Sequence, residues 1–323
     1  MIDAFGRTID YLRISITDRC NLRCVYCMPE DGQEVMRHED VLRYEEIERI
    51  VRQMAQMGIR HVRITGGEPM ARSGCLDLVE TLHNIPGIED ICMTTNGLLL
   101  KGKMAQAKAR GLSAVNISID SVEPSVYREL TRMGKVEDAL AAVDEALCAG
   151  LRVKVNCVPV RGVNEEGLCD VAALAKDRPI SVRFIELMPV GCGAGLRPIP
   201  SDEAEAMMRA RFGPLDEDLS FHGYGPARYL RPRGFQGSLG FISAVSHEFC
   251  DRCNRVRLTA DGRLKLCLNH TAGLDLRSLV RSGIDDDALR QTIRQALKQK
   301  PRCHGFGDKV EDRETRTMNE IGG

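Results

Sequence analysis

Three cysteines lie in the segment Thr17-Asp18-Arg19-Cys20-Asn21-Leu22-Arg23-Cys24-Val25-Tyr26-Cys27, spaced C-x3-C-x2-C. Three thiolates at this spacing suit three corners of a four-iron cubane and leave the fourth iron without a protein ligand. A closed zinc site would add a fourth Cys or His, and the nearest candidate, His38, is eleven residues beyond Cys27. An iron with an open position can bind and reduce a ligand, so the motif points to chemistry as well as to folding. Disulfides are another use for thirteen cysteines. A chain of 323 residues buries its own core without such staples, and clustered cysteines in a chain with no apolar leader at residues 1–10 more often bind metal.

A second triplet, Cys250-x2-Cys253-x13-Cys267, is less specific. With His270 it reads as C-x2-C-x13-C-x2-H, so spacing alone leaves a Cys3His zinc site and an iron–sulfur centre both open. Arg255 and Arg257 lie between these ligands on an alternating strand, the kind of cationic pair that holds anionic oxygens. The other seven cysteines (75, 92, 148, 157, 169, 192 and 303) lack ligand spacing and read as core or surface residues.

The elements that must position these groups read as six strand–helix units over the first two-thirds of the chain. Strands are predicted at residues 12–17, 61–65, 90–94, 115–120, 153–158 and 181–186. Ile47, Ile50, Val51 and Met54 follow a helical spacing, as do Val136, Ala139, Leu140, Val143 and Leu147. Gly58, Gly111 and Gly150 stand where helices end. Such alternation predicts a parallel sheet. Within the strands, Arg13, Ser15 and Thr17 oppose Ile14 and Ile16, Arg63 opposes Val62 and Ile64, and Lys154 and Asn156 oppose Val153 and Val155. A doubly wound sheet is covered on both faces, so its strands should be almost wholly apolar. A polar and basic face must instead line a solvated or ligand-filled lumen. The fold expected is α/β, an incomplete (βα)6 TIM-type barrel over residues 1–200, with a C-terminal α+β extension over 201–323 that carries the second cluster. The cysteines, Gly66-Gly67-Glu68-Pro69, Thr94-Thr95-Asn96-Gly97, Ser118 with Asp120, and Met188-Pro189-Val190-Gly191 all follow strands, at the end where barrels place chemistry.

Lys plus Arg is 45 against 46 Asp plus Glu, a net charge of −1, which gives no basic coat for nucleic acid. Trp is absent and aromatics are 4%, which disfavours a base-stacking surface. No apolar run approaches the roughly 20 residues needed to span a bilayer, so no membrane partner and a cytoplasmic location are expected.

The first triplet with Tyr26, followed by Gly66-Gly67-Glu68-Pro69, resembles the radical S-adenosylmethionine superfamily. The second triplet with Arg255-Val256-Arg257, and the terminal Ile321-Gly322-Gly323, resemble within it the MoaA-type GTP 3′,8-cyclases of molybdenum cofactor biosynthesis. The resemblance implies that Cys20, Cys24 and Cys27 hold a 4Fe–4S cluster whose free iron binds S-adenosylmethionine, with Tyr26, Gly67, Ser118 and Met188 contacting that cofactor. It implies a second 4Fe–4S cluster on Cys250, Cys253 and Cys267, approached by the guanine of GTP. Arg13, Arg63, Thr94, Lys154, Arg183, Arg255, Val256 and Arg257 match substrate-binding positions, and Arg255 and Arg257 join the first three cysteines as catalytic. The implied reaction takes the 3′ hydrogen of GTP with a 5′-deoxyadenosyl radical and closes the ribose onto C8 of guanine. A reductant protein of unknown identity and a downstream pterin-forming lyase are the partners implied, and a homodimer is left open. The tail has two readings: a flexible end with no role, or backbone threaded into the site where a side chain would not fit.

Overall fold

The polar–apolar alternation of six segments becomes six strands: β1 (Tyr11–Ser15), β2 (His61–Thr65), β3 (Asp90–Thr95), β4 (Ala114–Ser118), β5 (Arg152–Cys157) and β6 (Ser181–Ile185). The structure is a computed structural model and describes residues 1–306 and 313–323. The six strands pair in parallel in chain order. Helices α1 (Tyr44–Gln56), α2 (Cys75–His83), α3 (Met104–Ala109), α4 (Pro124–Thr131), α5 (Val136–Cys148) and α6 (Leu168–Ala173) fall between them. The apolar stripe of α1, with Ile47, Ile50, Val51 and Met54, is buried in the same hydrophobic core as Ile14, Ile64, Val115, Ile117, Val153 and Val155 of the sheet. Three helix ends turn back through the predicted glycines; at Gly111 (φ 97°) a Cβ would also collide with the His83 side chain at 2.3 Å.

The C-terminal third supplies α7 (Ser201–Phe212), β7 (Leu215–Glu217), β8 (Arg228–Pro232), β9 (Ser238–Ile242), β10 (Arg255–Leu258), β11 (Arg263–Lys265), β12 (Gly273–Asp275), α8 (Leu276–Arg281), α9 (Asp286–Leu297) and α10 (Met318–Ile321). The sheet runs β12-β11-β10-β1-β2-β3-β4-β5-β6-β9-β8-β7. β9 joins β6 in parallel and β10 joins β1 in parallel, so the six units are extended by one parallel strand at each edge. These two edge strands are consecutive in the chain. The segment 243–254 between them therefore crosses from one edge of the sheet to the other, and it carries Cys250 and Cys253. Residues of β9 and β10 line one cavity together with β1, β2, β5 and β6. Strands at opposite ends of the parallel run can meet in this way only if the sheet curls, as the inward polar face required. No helix among the described residues is long and apolar enough to cross a membrane.

Candidate active site

The first triplet occupies the loop after β1. Turn hydrogen bonds run from Cys27 N–H and Met28 N–H to the Cys24 carbonyl, at 2.9 and 3.2 Å, and the Leu22 N–H donates to Cys20 Sγ at 3.4 Å. The loop rests on the Gly66-Gly67-Glu68-Pro69 segment, where Gly67 N–H donates to the Thr17 carbonyl at 2.8 Å. A Cβ at Gly67 would lie 2.4 Å from the Arg19 carbonyl oxygen, so this close approach needs glycine. Glu68 is wholly buried and accepts from Thr95 Oγ1 at 2.8 Å and from Asn96 N–H at 2.8 Å. Burial nonetheless holds its carboxyl above the usual range. Tyr26 donates its hydroxyl to Asp120 Oδ2 at 2.6 Å, and burial pushes Asp120 up to about 6. Burial also pushes the thiol of Cys20 up to about 11, that of Cys27 to about 12, and that of Cys24 well above its ordinary value. A metal held there would have to displace protons from all three.

Below this mouth lies a lumen of cations. Parallel register sets Arg13 opposite Arg63 on one side and opposite Arg257 on the other. A cavity of ≈ 170 Å³, measured as the room for the centre of a water-sized sphere, is lined by Arg13, Arg63, Arg183, Arg255, Arg257 and Lys300. That is roughly ten times the space one water needs. Among the described residues, no Asp or Glu lines it. Burial, reinforced by Arg257 and Arg63, holds Arg13 well below its ordinary range, and burial with Arg255 lowers Arg257 to about 10. Arg183 is 2% exposed and donates from Nε to Asn156 Oδ1 at 3.0 Å. The buried Nε of Arg63 has no hydrogen-bond partner among the described residues.

The second triplet forms another wall of the same cavity, through Cys250, Cys253 and Cys267. A tetrahedral zinc, with bonds of about 2.3 Å to sulfur, holds its sulfurs about 3.8 Å apart. Among the described residues, the one group of three His, Cys, Asp or Glu with ligand atoms within 4.8 Å of each other is Glu248, Cys250 and His304. Neither cysteine triplet meets that 4.8 Å limit as a set. His304 lines the cavity, whereas His270 does not; its backbone bridges to Arg313. The tail reaches this wall as well. Arg257 donates from Nη1 to the Gly322 carbonyl at 2.7 Å, and Gly322 (φ 79°) packs against Ser15 and Thr65 at the ends of β1 and β2.

The predicted residues fall into four groups. Arg13, Arg63, Arg183, Arg255, Arg257 and Met188 share the cavity wall with the second triplet. Tyr26 and Gly67 stand at the first triplet, and Ser118 ends β4 opposite Asn156. Thr94 and Lys154 lie off that wall: Thr94 accepts from Asn116 Nδ2 at 3.4 Å, and Lys154 donates to the His222 carbonyl. The Val256 side chain is buried in the outer hydrophobic core, leaving its main chain between the two arginines. Sequence reading missed Asp120 as the partner of Tyr26, Glu68 as an anchor of the third strand's loop, and Lys300. Asp120 and Glu68 carried a signal, since both follow polar strand positions; Lys300 carried none.

Residues 14–175 match the family model described as the Radical SAM superfamily, and residues 180–306 match that described as Molybdenum Cofactor Synthesis C. A GTP 3′,8-cyclase of Clostridium perfringens is 41% identical over 323 residues, spanning all of both chains. One from Heliobacterium modesticaldum is 45% identical over 327 residues, again spanning both in full. Among solved structures, Streptococcus suis SuiB bound to S-adenosylmethionine superposes with a TM-score of 0.62, covering 97% of this chain and 78% of SuiB. At 14% identity that likeness speaks to fold alone.

Proposed function

Because the chain belongs to the GTP 3′,8-cyclase family of radical S-adenosylmethionine enzymes, we propose that it converts GTP to 3′,8-cyclo-7,8-dihydro-GTP. This is the first step of molybdenum cofactor biosynthesis. The observation that carries the reading is the cavity that the described residues line with five arginines and a lysine and no carboxylate. So much enclosed positive charge is costly unless a polyanion completes it, and a triphosphate supplies several negative charges with oxygens that fit the guanidinium fork.

Cys20, Cys24 and Cys27 would hold the first four-iron cluster, with Tyr26, Gly67, Ser118 and Met188 around S-adenosylmethionine. Cys250, Cys253 and Cys267 would hold the second. When bound, the first cluster and S-adenosylmethionine supply the one-electron chemistry that removes hydrogen from the ribose. The chain's own part is placement and exclusion. Arg13, Arg63, Arg183, Arg255 and Arg257 bind and orient the phosphates from one wall. Lys154 and Thr94 extend that contact toward the far side of the lumen. The tail closes on Arg257 and shields the reacting centre from water, and a sequestered, pre-oriented substrate is what a short-lived radical requires.

We further assign radical generation to residues 1–200 and the substrate-side cluster and tail to 201–323. The enzyme works in the cytoplasm, fed by a reductant protein and followed by a pterin-forming lyase. The test is turnover: anaerobically reconstituted protein cleaves S-adenosylmethionine only with reductant and consumes GTP in step. Zinc in both triplets with no 5′-deoxyadenosine formed would overturn the proposal.

A further inference from the structure

Lys300 follows α9 and belongs to neither cysteine motif. It is 3% exposed and lines the cavity beside Cys253 and Cys267. Its Nζ donates to the Arg255 carbonyl at 2.8 Å and also to the Leu266 carbonyl. Leu266 directly precedes Cys267, and Arg255 stands two residues after Cys253. One ammonium thus pins the main chain next to two of the three thiols. Arg7 does the matching work at the third, donating from Nη1 to the Cys250 carbonyl at 2.8 Å. Its other bonds, to the Arg302 carbonyl at 2.9 Å and the Pro301 carbonyl at 2.7 Å, hold the residues that follow Lys300.

The two cations differ in charge balance. Arg7 is paired with Asp3 at 2.6 Å. Among the described residues, Lys300 has carbonyls as its hydrogen-bond partners, and no carboxylate lines the cavity it faces. An ammonium carries three donors, and two carbonyls do not neutralise a buried charge. Thiolates holding a four-iron cluster do, and such a cluster gains one further negative charge on reduction. Local charge is among the determinants of cluster potential.

We propose that Lys300 is a positioning and charge-balancing residue for the second cluster, fixing the main chain beside Cys253 and Cys267 and favouring the reduced state. The inference rests on the reading that Cys250, Cys253 and Cys267 hold a four-iron cluster. Lys300→Gln keeps N–H donors for the carbonyls and removes the charge; Lys300→Arg keeps the charge. Each is made in full-length Cys24→Ala protein, so that the second cluster alone is followed, and scored by iron content and by a reductive titration monitored by electron spin resonance. Lys300→Gln should retain about four irons and shift the reduction equilibrium at least about tenfold toward the oxidised form, about 59 mV for one electron. Lys300→Arg should restore the parent potential. Loss of iron from Lys300→Gln, rescued by Lys300→Arg, would also support the assignment. An unchanged potential with full iron in Lys300→Gln, or failure of Lys300→Arg to rescue, overturns it. A Cys24→Ala parent that holds no iron at all would instead contradict the two-cluster reading on which the inference stands.

Discussion

Lys154 shows how a single residue registers the lumen's charge. Burial, then Arg183, lower its ammonium to about 7, with Arg63 and Arg152 adding to the effect and Cys92 opposing it. The His222 carbonyl accepts from it and Tyr229 lies within cation–π range at 5.8 Å. Below pH 7 the side chain is already cationic when GTP arrives. As pH rises through about 7, binding a polyanion must take up a proton, so affinity falls by up to about tenfold per pH unit until the bound-state value is passed. Lys154→Arg, which stays charged throughout, should flatten this profile. Anaerobic GTP binding measured from about pH 6 to about pH 9 checks it; a flat parent profile, or the same slope in both proteins, would count against a phosphate-side role for Lys154. The arginines differ in kind, because their charge persists and their placement is set by strand register.

At the scale of elements, the tail is the part that most needed a structure. Helix α10 starts on a Thr317–Glu320 capping box, and Asn319 donates from Nδ2 to the Asp18 carbonyl at 3.2 Å, directly beside the first cysteine loop. The chain then turns at Gly322, where a Cβ would stand 2.8 Å from Ser15 Cβ and 2.9 Å from Thr65 Oγ1. Gly322→Ala meets both crowding and an unfavourable positive φ. It should displace the tail and cut GTP turnover by roughly tenfold or more, equivalent to about 1.4 kcal/mol of barrier, while iron content and melting temperature stay near those of the parent. Removing Gly322 and Gly323 should act in the same direction. Unchanged turnover in both would return the tail to a passive end. Nothing local announces this path, since Ser15 and Gly322 are more than 300 residues apart. The six barrel strands were legible for the opposite reason. One face touches helices and the other a polar lumen, so period-two alternation marks each strand within one or two residues of its observed ends. β7 and β12, three residues each, are too short to carry such a signal.

For the whole molecule, the topology accounts for how, on the function proposed above, two distant cysteine motifs serve one reaction. The parallel run ends on β9 and β10, and the twelve residues between them bring Cys250 and Cys253 across the lumen. Sequence could place Arg13, Arg63 and Lys154 on the inner face from alternation alone. It could not show that β9 and β10 complete opposite edges, because short strands joined by a loop read as neighbours. Nor could it separate Lys154 and Thr94 from the main cavity wall, which depends on side-chain packing across the curled sheet. Spacing left zinc open at the second triplet; the family match and the arginines beside the triplet favour a cluster. The function proposed above requires two iron–sulfur centres, of which only the second meets the substrate. Iron analysis and electron spin resonance of the reduced protein, with and without GTP, test this. About eight irons per chain are expected, with GTP altering the signal that is lost in Cys253→Ala and leaving the one lost in Cys24→Ala unaltered. About four irons, or a GTP effect confined to the Cys24-dependent signal, would contradict it.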